Sequence, residues 1–241
     1  MSDQKKLELK NRQEFIQFID SFAKISDSFI ADLSESKISV VTTTADTTLI
    51  AYGEYDCECN SKAHLNIPDS KKLVRVFETV NQDNIVLSIN TNNLEYKDSN
   101  VKFKYHLFED GFLKKPPLSI DRLKSFDTNV SFNLTKQQLQ SLIKASTFAT
   151  ETNKLYLYTD NGKLIGELTD KARHNSVSYC VTLAEVDFEL SPISINFDNI
   201  RLLSLHGNCF NIKINTKVNV LVIETNHNSV KMSYFITSLT Q

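Results

Sequence analysis

The chain has 241 residues, of which 41% are hydrophobic and 23% are charged, and its formal net charge is −2. These proportions are ordinary for a globular protein, and the mild acidity argues against a protein that grips nucleic acid over its whole surface. No apolar run approaches the ~20 residues that a membrane-spanning helix needs. The polar segment 1–10 lacks the apolar core of a signal peptide, and the four cysteines form no CxxC pair. Together these features predict a cytoplasmic protein without membrane association.

The first half of the chain predicts a strand, a helix, a run of strands, a second helix and further strands. The first helix is predicted at 11–23, where Asn11 and Glu14 match the residues of a capping box. Its apolar residues recur with helical spacing at Phe15, Phe18, Ile19 and Phe22. Pro68-Asp69-Ser70 opens the second helix, whose predicted buried residues are Leu73, Val76, Phe77 and Val80. The predicted strands are 6–9, 29–33, 39–43, 48–52, 63–67, 85–89, 94–97 and 101–108.

The second half of the chain predicts the same order of elements. Thr135 and Gln138 match a second capping box at the start of its first helix. Asp160-Asn161-Gly162 lies between two apolar runs and is a strong signal for a hairpin turn. A short helix is predicted at 199–206, where it is followed by a glycine. The predicted strands are 130–134, 155–158, 164–165, 177–183, 193–196, 210–214, 218–224 and 230–237.

Short segments of the two halves also match in sequence and keep their order. Ser88-Ile89-Asn90-Thr91 recurs as Lys213-Ile214-Asn215-Thr216, and Val101-Lys102-Phe103-Lys104-Tyr105 recurs as Val230-Lys231-Met232-Ser233-Tyr234. Such self-similarity predicts two similar domains, each of class α+β, with helices on one face of antiparallel sheets. The predicted N-terminal domain, connector and C-terminal domain are 1–110, 111–128 and 129–241.

The sequence contains no motif of a known catalytic site. GxGxxG, a Walker loop, GxSxG and HExxH are all absent, and the five histidines are scattered. Cys57 and Cys59 with His64 nearby could form a metal site, although reduced thiols in a strand-rich protein are the favoured interpretation. We therefore predict a protein that is not an enzyme and needs no cofactor or metal.

Basic residues recur on the predicted helix faces that point away from the core. If the helices of both domains lie side by side, these cations form one basic surface that faces nucleic acid. The alternative is that lysine and arginine are common on any solvated helix face, and Glu14, Asp20 and Glu78 on the same helices favour that alternative. The candidate nucleic-acid-facing residues are Arg12, Lys24, Lys71, Lys72, Arg75, Lys136, Lys144 and Arg201.

Two stretches resemble a known family. The first runs from Lys114-Lys115-Pro116-Pro117 through Phe132-Asn133-Leu134-Thr135-Lys136-Gln137-Gln138-Leu139-Gln140-Ser141-Leu142, and the second begins at Asp27-Ser28-Phe29-Ile30. With the repeat and the mild acidity, they are similar to the DNA polymerase sliding clamps of T-even-type bacteriophages, relatives of proliferating cell nuclear antigen. The adjacent prolines also predict that the connector runs extended along the surface.

The resemblance implies a homotrimeric ring that encircles double-stranded DNA without sequence preference. The helices would line the hole and the sheets would form the outside, with no cofactor or metal. The implied partners are an ATP-dependent clamp loader, the replicative DNA polymerase and the late transcription factors of the phage. The protein would work in the cytoplasm of the infected host cell.

The resemblance also implies two protein-contact sites. Edge strands at 101–108 and 176–183 would join neighbouring subunits, through Val101, Phe103, Tyr105, Val177, Tyr179 and Val181. A partner-peptide pocket would lie beneath the connector, at Phe112, Leu113, Pro116, Pro117, Leu118 and Ile120. The alternatives are that these connector residues only pack the two domains together, or that partner peptides bind at the subunit junction.

Other function classes stay open at this point. A phage structural or scaffold protein of duplicated β-domains would explain the repeat but not aligned basic helix faces. A monomeric processivity factor that holds DNA electrostatically predicts a more basic chain. A small hydrolase is a more distant alternative.

Overall fold

The computed structural model of the chain describes residues 5–147, 150–173 and 175–239, so that residues 1–4 of the predicted polar N-terminal segment lie outside the described part. Two compact units account for the chain. The first comprises the described parts of Met1–Ala45, Ile50–Ser125 and Asn226–Met232. The second comprises the described parts of Asp46–Leu49, Phe126–Thr225 and Ser233–Gln241. Most of the predicted connector, up to Ser125, therefore belongs to the first unit.

The first half of the chain forms two helices and two sheets before the connector. The elements are β1 (Lys5–Leu9), α1 (Arg12–Ala23), β2 (Phe29–Leu33), β3 (Lys37–Thr43), β4 (Leu49–Asp56), β5 (Glu58–Cys59), β6 (Ala63–Ile67), α2 (Ser70–Glu78), β7 (Ile85–Asn90), β8 (Asn93–Lys97) and β9 (Lys102–His106). One set of strands has the order β5-β1-β7-β8-β9 and the other the order β4-β3-β2-β6. All pairs within these two sets are antiparallel.

The second half repeats this topology. After α3 (Ile120–Lys124) in the connector come β10 (Val130–Thr135), α4 (Lys136–Ala145), β11 (Lys154–Asp160), β12 (Lys163–Leu168), β13 (Tyr179–Glu185), β14 (Ile193–Asn196), α5 (Phe197–Leu202), β15 (Cys209–Asn215), β16 (Val220–His227) and β17 (Val230–Thr237). The strand orders are β13-β12-β11-β14 and β10-β15-β16-β17. They match β4-β3-β2-β6 and β1-β7-β8-β9 element by element. The prediction of an α+β fold built from two repeated domains is confirmed.

Capping and apolar periodicity explain where the long helices form. The Asn11 side chain accepts a hydrogen bond from the Glu14 backbone N–H at 3.0 Å, and Thr135 and Gln138 form both bonds of a capping box. Phe18 and Phe22 of α1 are fully buried. Each such burial stabilises the fold by about 1.5–3 kcal/mol relative to an exposed side chain. Aromatic burial thus fixes the orientation of α1 on its sheet.

Several predictions differ from the structure in detail. The short helix predicted at 199–206 is α5, which begins at Phe197 because the Asn196 side chain caps it by accepting from the Asp198 backbone N–H. It ends at Leu202 rather than at 206, since Leu203 is extended. The connector is not extended throughout, since Ser119 caps the five-residue helix α3. Val76 of α2 is half-buried rather than part of the core. In the described part of the chain, no helix is long and apolar enough to cross a membrane.

Candidate nucleic-acid and partner surfaces

Arg12, the first residue of α1, is engaged with the neighbouring helix. Its Nη1 atom donates to the carbonyl oxygens of Phe77 at 3.3 Å and of Glu78 at 3.5 Å, in the last turn of α2. A cation at a helix C-terminus is favoured because the last carbonyls carry partial negative charge. Arg12 is half-buried, so one role of this candidate nucleic-acid contact is to hold α1 against α2.

The other candidate cations of the first unit are exposed. Lys71 Nζ lies 2.8 Å from Asp27 Oδ1, and the hydrogen bond and charge of this carboxylate raise the pKa of the lysine. Lys24 Nζ lies 3.4 Å from Asp20 Oδ2. Among the described residues, no carboxylate forms an ion pair with Lys72 or Arg75 of α2. Among the candidate cations of this unit, these two side chains have the most freedom to meet an external anion.

The second unit has three candidate cations on its helices. Lys144 is exposed and Lys136 is half-exposed on α4, and the described chain offers neither an ion-pair partner. Arg201 on α5 is exposed, and its Nη1 atom lies 2.6 Å from Asp198 Oδ1. Its guanidinium also lies 4.9 Å from the centroid of the Phe197 ring. Within each unit, the helices therefore present cations outside the buried core.

The strands predicted at 101–108 and 176–183 to join subunits are β9 (Lys102–His106) and β13 (Tyr179–Glu185), so Val101 and Val177 lie just before them. Both strands lie at the ends of their sheets. β9 ends the order β5-β1-β7-β8-β9, and β13 ends the order β13-β12-β11-β14. An end strand leaves one row of backbone groups without a partner in its sheet, which another strand can pair with. The location suits an interface between subunits, although the interface itself stays a prediction.

The candidate interface side chains differ in their availability. Tyr105 is buried, and its hydroxyl donates to the Asp69 carbonyl oxygen at 2.7 Å. Phe103 packs edge-to-face on Phe77, with 5.7 Å between the ring centroids. Both side chains therefore make contacts within their own unit. Val101 and Val181 are half-exposed. Val177 and Tyr179 are 51% and 39% exposed, which is high for large apolar side chains. Their exposure makes Val177 and Tyr179 the better candidates for side-chain contact with another subunit.

A groove lies beneath the connector in the first unit, and we refer to it as the connector cavity. Its volume is about 840 Å³. Residues of β2, β3 and β6 form its floor, namely Ile30, Asp32, Val41, His64 and Asn66. The connector side is formed by Asp110, Gly111, Leu113, Lys115, Pro116, Pro117, Leu118, Ser119 and Ile120. Five of the predicted pocket residues thus line one cavity. The sixth, Phe112, is 70% exposed and stacks on Phe108 with ring centroids 5.6 Å apart.

A charged cluster attaches the end of the connector to β4. Glu54 Oε1 accepts hydrogen bonds from Lys37 Nζ at 2.5 Å, from the Tyr52 hydroxyl at 2.5 Å and from Lys124 Nζ at 2.9 Å. Burial raises the pKa of Glu54, but these three donors outweigh it and lower the pKa to about 2. Burial and the hydrogen bond to Glu54 raise the pKa of Tyr52. The sequence patterns did not point to this cluster, because ion pairs between residues far apart in the sequence leave no periodic signal.

The cysteine and histidine residues considered as a metal site are otherwise engaged. Cys59 Sγ donates to the Ser61 carbonyl oxygen at 2.9 Å, and His64 Nδ1 lies 2.5 Å from Asp32 Oδ1. Burial raises the pKa of the Cys57 thiol to about 12, which disfavours the thiolate that binds metals. Within residues 5–147, 150–173 and 175–239, no three His, Cys, Asp or Glu side chains cluster as metal ligands.

No protein-family model matches the sequence, and no curated protein matches it either. Solved structures do match. The proliferating cell nuclear antigen (PCNA) of Thermococcus kodakaraensis shares 15% identity and a TM-score of 0.72 over 98% of this chain and 100% of its own. PCNA of A. fulgidus, bound to the C-terminal region of FEN-1, shares 11% identity and a TM-score of 0.75 over 98% and 99%. The beta clamp of Helicobacter pylori shares 15% identity and a TM-score of 0.78 over 100% of this chain and 67% of its own.

Proposed function

We propose that this chain, which has the fold of DNA sliding clamps, is itself a sliding clamp that encircles duplex DNA and tethers a DNA polymerase. The observation that carries the proposal is the full-length agreement with the two PCNA structures, at TM-scores of 0.72 and 0.75. Agreement over nearly the whole of both chains involves both units and not one shared domain.

The distribution of charge supports the same function. A ring holds DNA by topology, so strong contacts with phosphates would slow its movement. Exposed helix cations on a chain of net charge −2 offer weak attraction to phosphates without sequence readout. A monomeric factor that relied on charge alone would need a more basic surface.

The assembly that we propose is a homotrimer. Two repeated units per chain and a length that matches PCNA favour three chains per ring, closed by head-to-tail contacts between β9 and β13. By its resemblance to the T-even-type family, we further propose that the clamp serves a bacteriophage in the cytoplasm of the host cell. An ATP-dependent loader would then open the ring, and late transcription factors would share it with the polymerase.

We also propose that partner proteins dock by a short peptide in the connector cavity. The PCNA of A. fulgidus was solved with the C-terminal region of FEN-1, and the beta clamp of Helicobacter pylori with a DNA ligase peptide. The connector cavity combines apolar walls at Ile30, Val41 and Leu118 with open access to solvent. Such a groove suits a segment with apolar anchors.

Two measurements test the proposed clamp. Light scattering should give three times the 27.5 kDa chain mass at micromolar concentration. The second measurement uses a fluorescent chain on a linear duplex, either with free ends or with both ends blocked by streptavidin after the ring has been threaded on. Retention should persist in raised salt only when the ends are blocked. A stable monomer, or equal retention on the two duplexes, would contradict the clamp.

A further inference from the structure

The connector begins at a polar contact with β6. The Asn66 side-chain amide donates to Asp110 Oδ1 at 2.8 Å and to the Phe108 carbonyl oxygen at 3.3 Å. The Phe108 backbone N–H donates in return to the Asn66 carbonyl oxygen at 3.0 Å. Asn66 is only 6% exposed, so the loss of these hydrogen bonds would leave a buried amide unsatisfied and destabilise the fold. The start of the connector is therefore fixed to the sheet.

The connector ends at a second polar contact, with β4. Lys124 of α3 donates to Glu54, whose side chain is 12% exposed, and the lysine Nζ also lies 5.6 Å from the centroid of the Tyr52 ring. Lys37 and Tyr52 hold the same carboxylate from the sheet side. Because these two donors hold Glu54 independently of Lys124, the carboxylate is an attachment point for α3 that belongs to the sheet.

The segment between the two contacts is held much less firmly. In the described chain, no hydrogen bond joins residues 113–118 to the rest of the first unit. Pro116 and Pro117 have no backbone N–H to donate. Gly111 adopts φ of 92°, a left-handed conformation that glycine accepts readily, at the point where this segment begins. The same segment forms one wall of the connector cavity.

We propose that Asn66 and Glu54 are positioning residues that hold the two ends of the connector. Between them, residues 113–118, which form no hydrogen bond to any described strand of the sheet, adjust their distance from it to fit a bound apolar peptide. The inference rests on the proposed function, because it assigns a mechanism to the proposed partner cavity. Glu54 lies outside the lining of the connector cavity, whereas Asn66 forms part of its floor. Partners with larger or smaller apolar anchors would then share one cavity without a change in the ring.

The first test needs no partner. Amide hydrogen exchange is measured for wild type, Glu54→Gln and Lys124→Met, with Lys213→Met as the control. Lys213 forms an ion pair of similar length with Glu224, at 2.8 Å, but between two strands of the second unit. Exchange in α3 should rise about tenfold in both connector variants and remain unchanged in the control. Lys124→Met is more informative than Glu54→Gln, because Glu54 keeps its hydrogen bonds from Lys37 and Tyr52 and the sheet stays intact. Unchanged exchange in α3 would overturn the proposal.

The second test uses a fluorescein-labelled peptide from the C-terminus of the replicative polymerase of the same genome. Lys124→Met should weaken its binding about fivefold while light scattering still gives the wild-type mass. Unchanged affinity would overturn the positioning role even if exchange rises. If the peptide fails to bind wild type, the proposed partner cavity is wrong, and the exchange data still decide whether Glu54 anchors α3.

Discussion

Arg12 of α1 is joined to Phe77 of α2, because the Arg12 guanidinium donates to the Phe77 carbonyl oxygen at 3.3 Å. A charged hydrogen bond at a helix C-terminus should stabilise the fold, so Arg12→Ala is expected to lower the free energy of unfolding by about 1–2 kcal/mol. Arg75→Ala removes an exposed arginine of α2 and should cost less than about 0.5 kcal/mol. Urea unfolding of both variants checks the prediction. Equal midpoints would show that the Arg12 contact adds nothing.

The exposed helix cations should act together on DNA. Single alanine substitutions at Lys72, Arg75, Lys136 and Lys144 are expected to change retention on the duplex with free ends, at low salt, by less than about twofold, since each phosphate contact is weak and solvated. The fourfold variant should shorten retention by about tenfold or more and reduce its salt dependence. Its unfolding midpoint should stay near that of wild type.

A control variant with the same change in net charge distinguishes the effect of the helix cations from that of the net charge. The control variant carries alanine at exposed lysines of strand ends and turns, namely Lys62, Lys97, Lys163 and Lys217. It should retain DNA as wild type does. Equal loss in both fourfold variants would mean that net charge matters and that the helix faces have no special role.

The helices and turns of this fold could be predicted because their signals are local. The hairpin predicted from Asp160-Asn161-Gly162 joins β11 to β12, with φ of 48° at Asn161 and 73° at Gly162. Both capping boxes lie at helix starts, although only that of Thr135 and Gln138 has both bonds. Side-chain spacing of three and four residues likewise predicted the buried face of α1, where Phe15, Phe18, Ile19 and Phe22 are all buried.

The candidate sites were harder to predict because they depend on distant contacts. Alternation along β9 shows that Phe103 and Tyr105 share a face, but it cannot tell an outer face from the inner one that packs on α2. The attachment of Lys124 to Glu54 joins residues 70 positions apart and leaves no pattern in either segment. Sequence alone therefore predicted the connector as a surface segment but missed what holds it.

The exposed apolar residues near β13 should matter for assembly. Val177→Asp is expected to shift the trimer to monomers at micromolar concentration, because a carboxylate buried in an interface costs several kcal/mol. Val218→Asp is the matched control, since Val218 is similarly exposed, at 59%, in the turn between β15 and β16. Light scattering distinguishes the two. A trimeric Val177→Asp variant would place the interface elsewhere.

The connector cavity should lose its partner when an apolar wall becomes charged. Leu118→Asp and Ile120→Asp are each expected to weaken binding of the labelled polymerase peptide by about tenfold or more, because apolar burial is lost and a carboxylate is desolvated. Val86→Asp, at an exposed position on β7, should leave the affinity unchanged. Fluorescence anisotropy gives the affinities, and light scattering checks that the ring persists. Unchanged binding in both cavity variants would favour the subunit junction.

Glu54 should make the free energy of unfolding depend on pH in the acidic range. Its pKa is about 2 in the folded chain, against an ordinary value of 4.5, so the unfolded chain binds the proton first as pH falls. The stabilisation is complete above pH 4.5 and is lost progressively between 4.5 and 2. At neutral pH it is on the order of 3.5 kcal/mol, because a pKa difference of one corresponds to ~1.4 kcal/mol.

Glu54→Gln removes this titration and supplies the test. The variant should be less stable than wild type at pH 7, and the difference between the two should narrow steadily below pH 4.5. Glu224→Gln disrupts the more exposed pair with Lys213 and should cost less than about 1 kcal/mol. Urea unfolding from pH 7 to pH 3 gives the free energy of unfolding of wild type and of both variants. A gap between wild type and Glu54→Gln that stays constant across this range would show that the ionised carboxylate is not what stabilises the cluster.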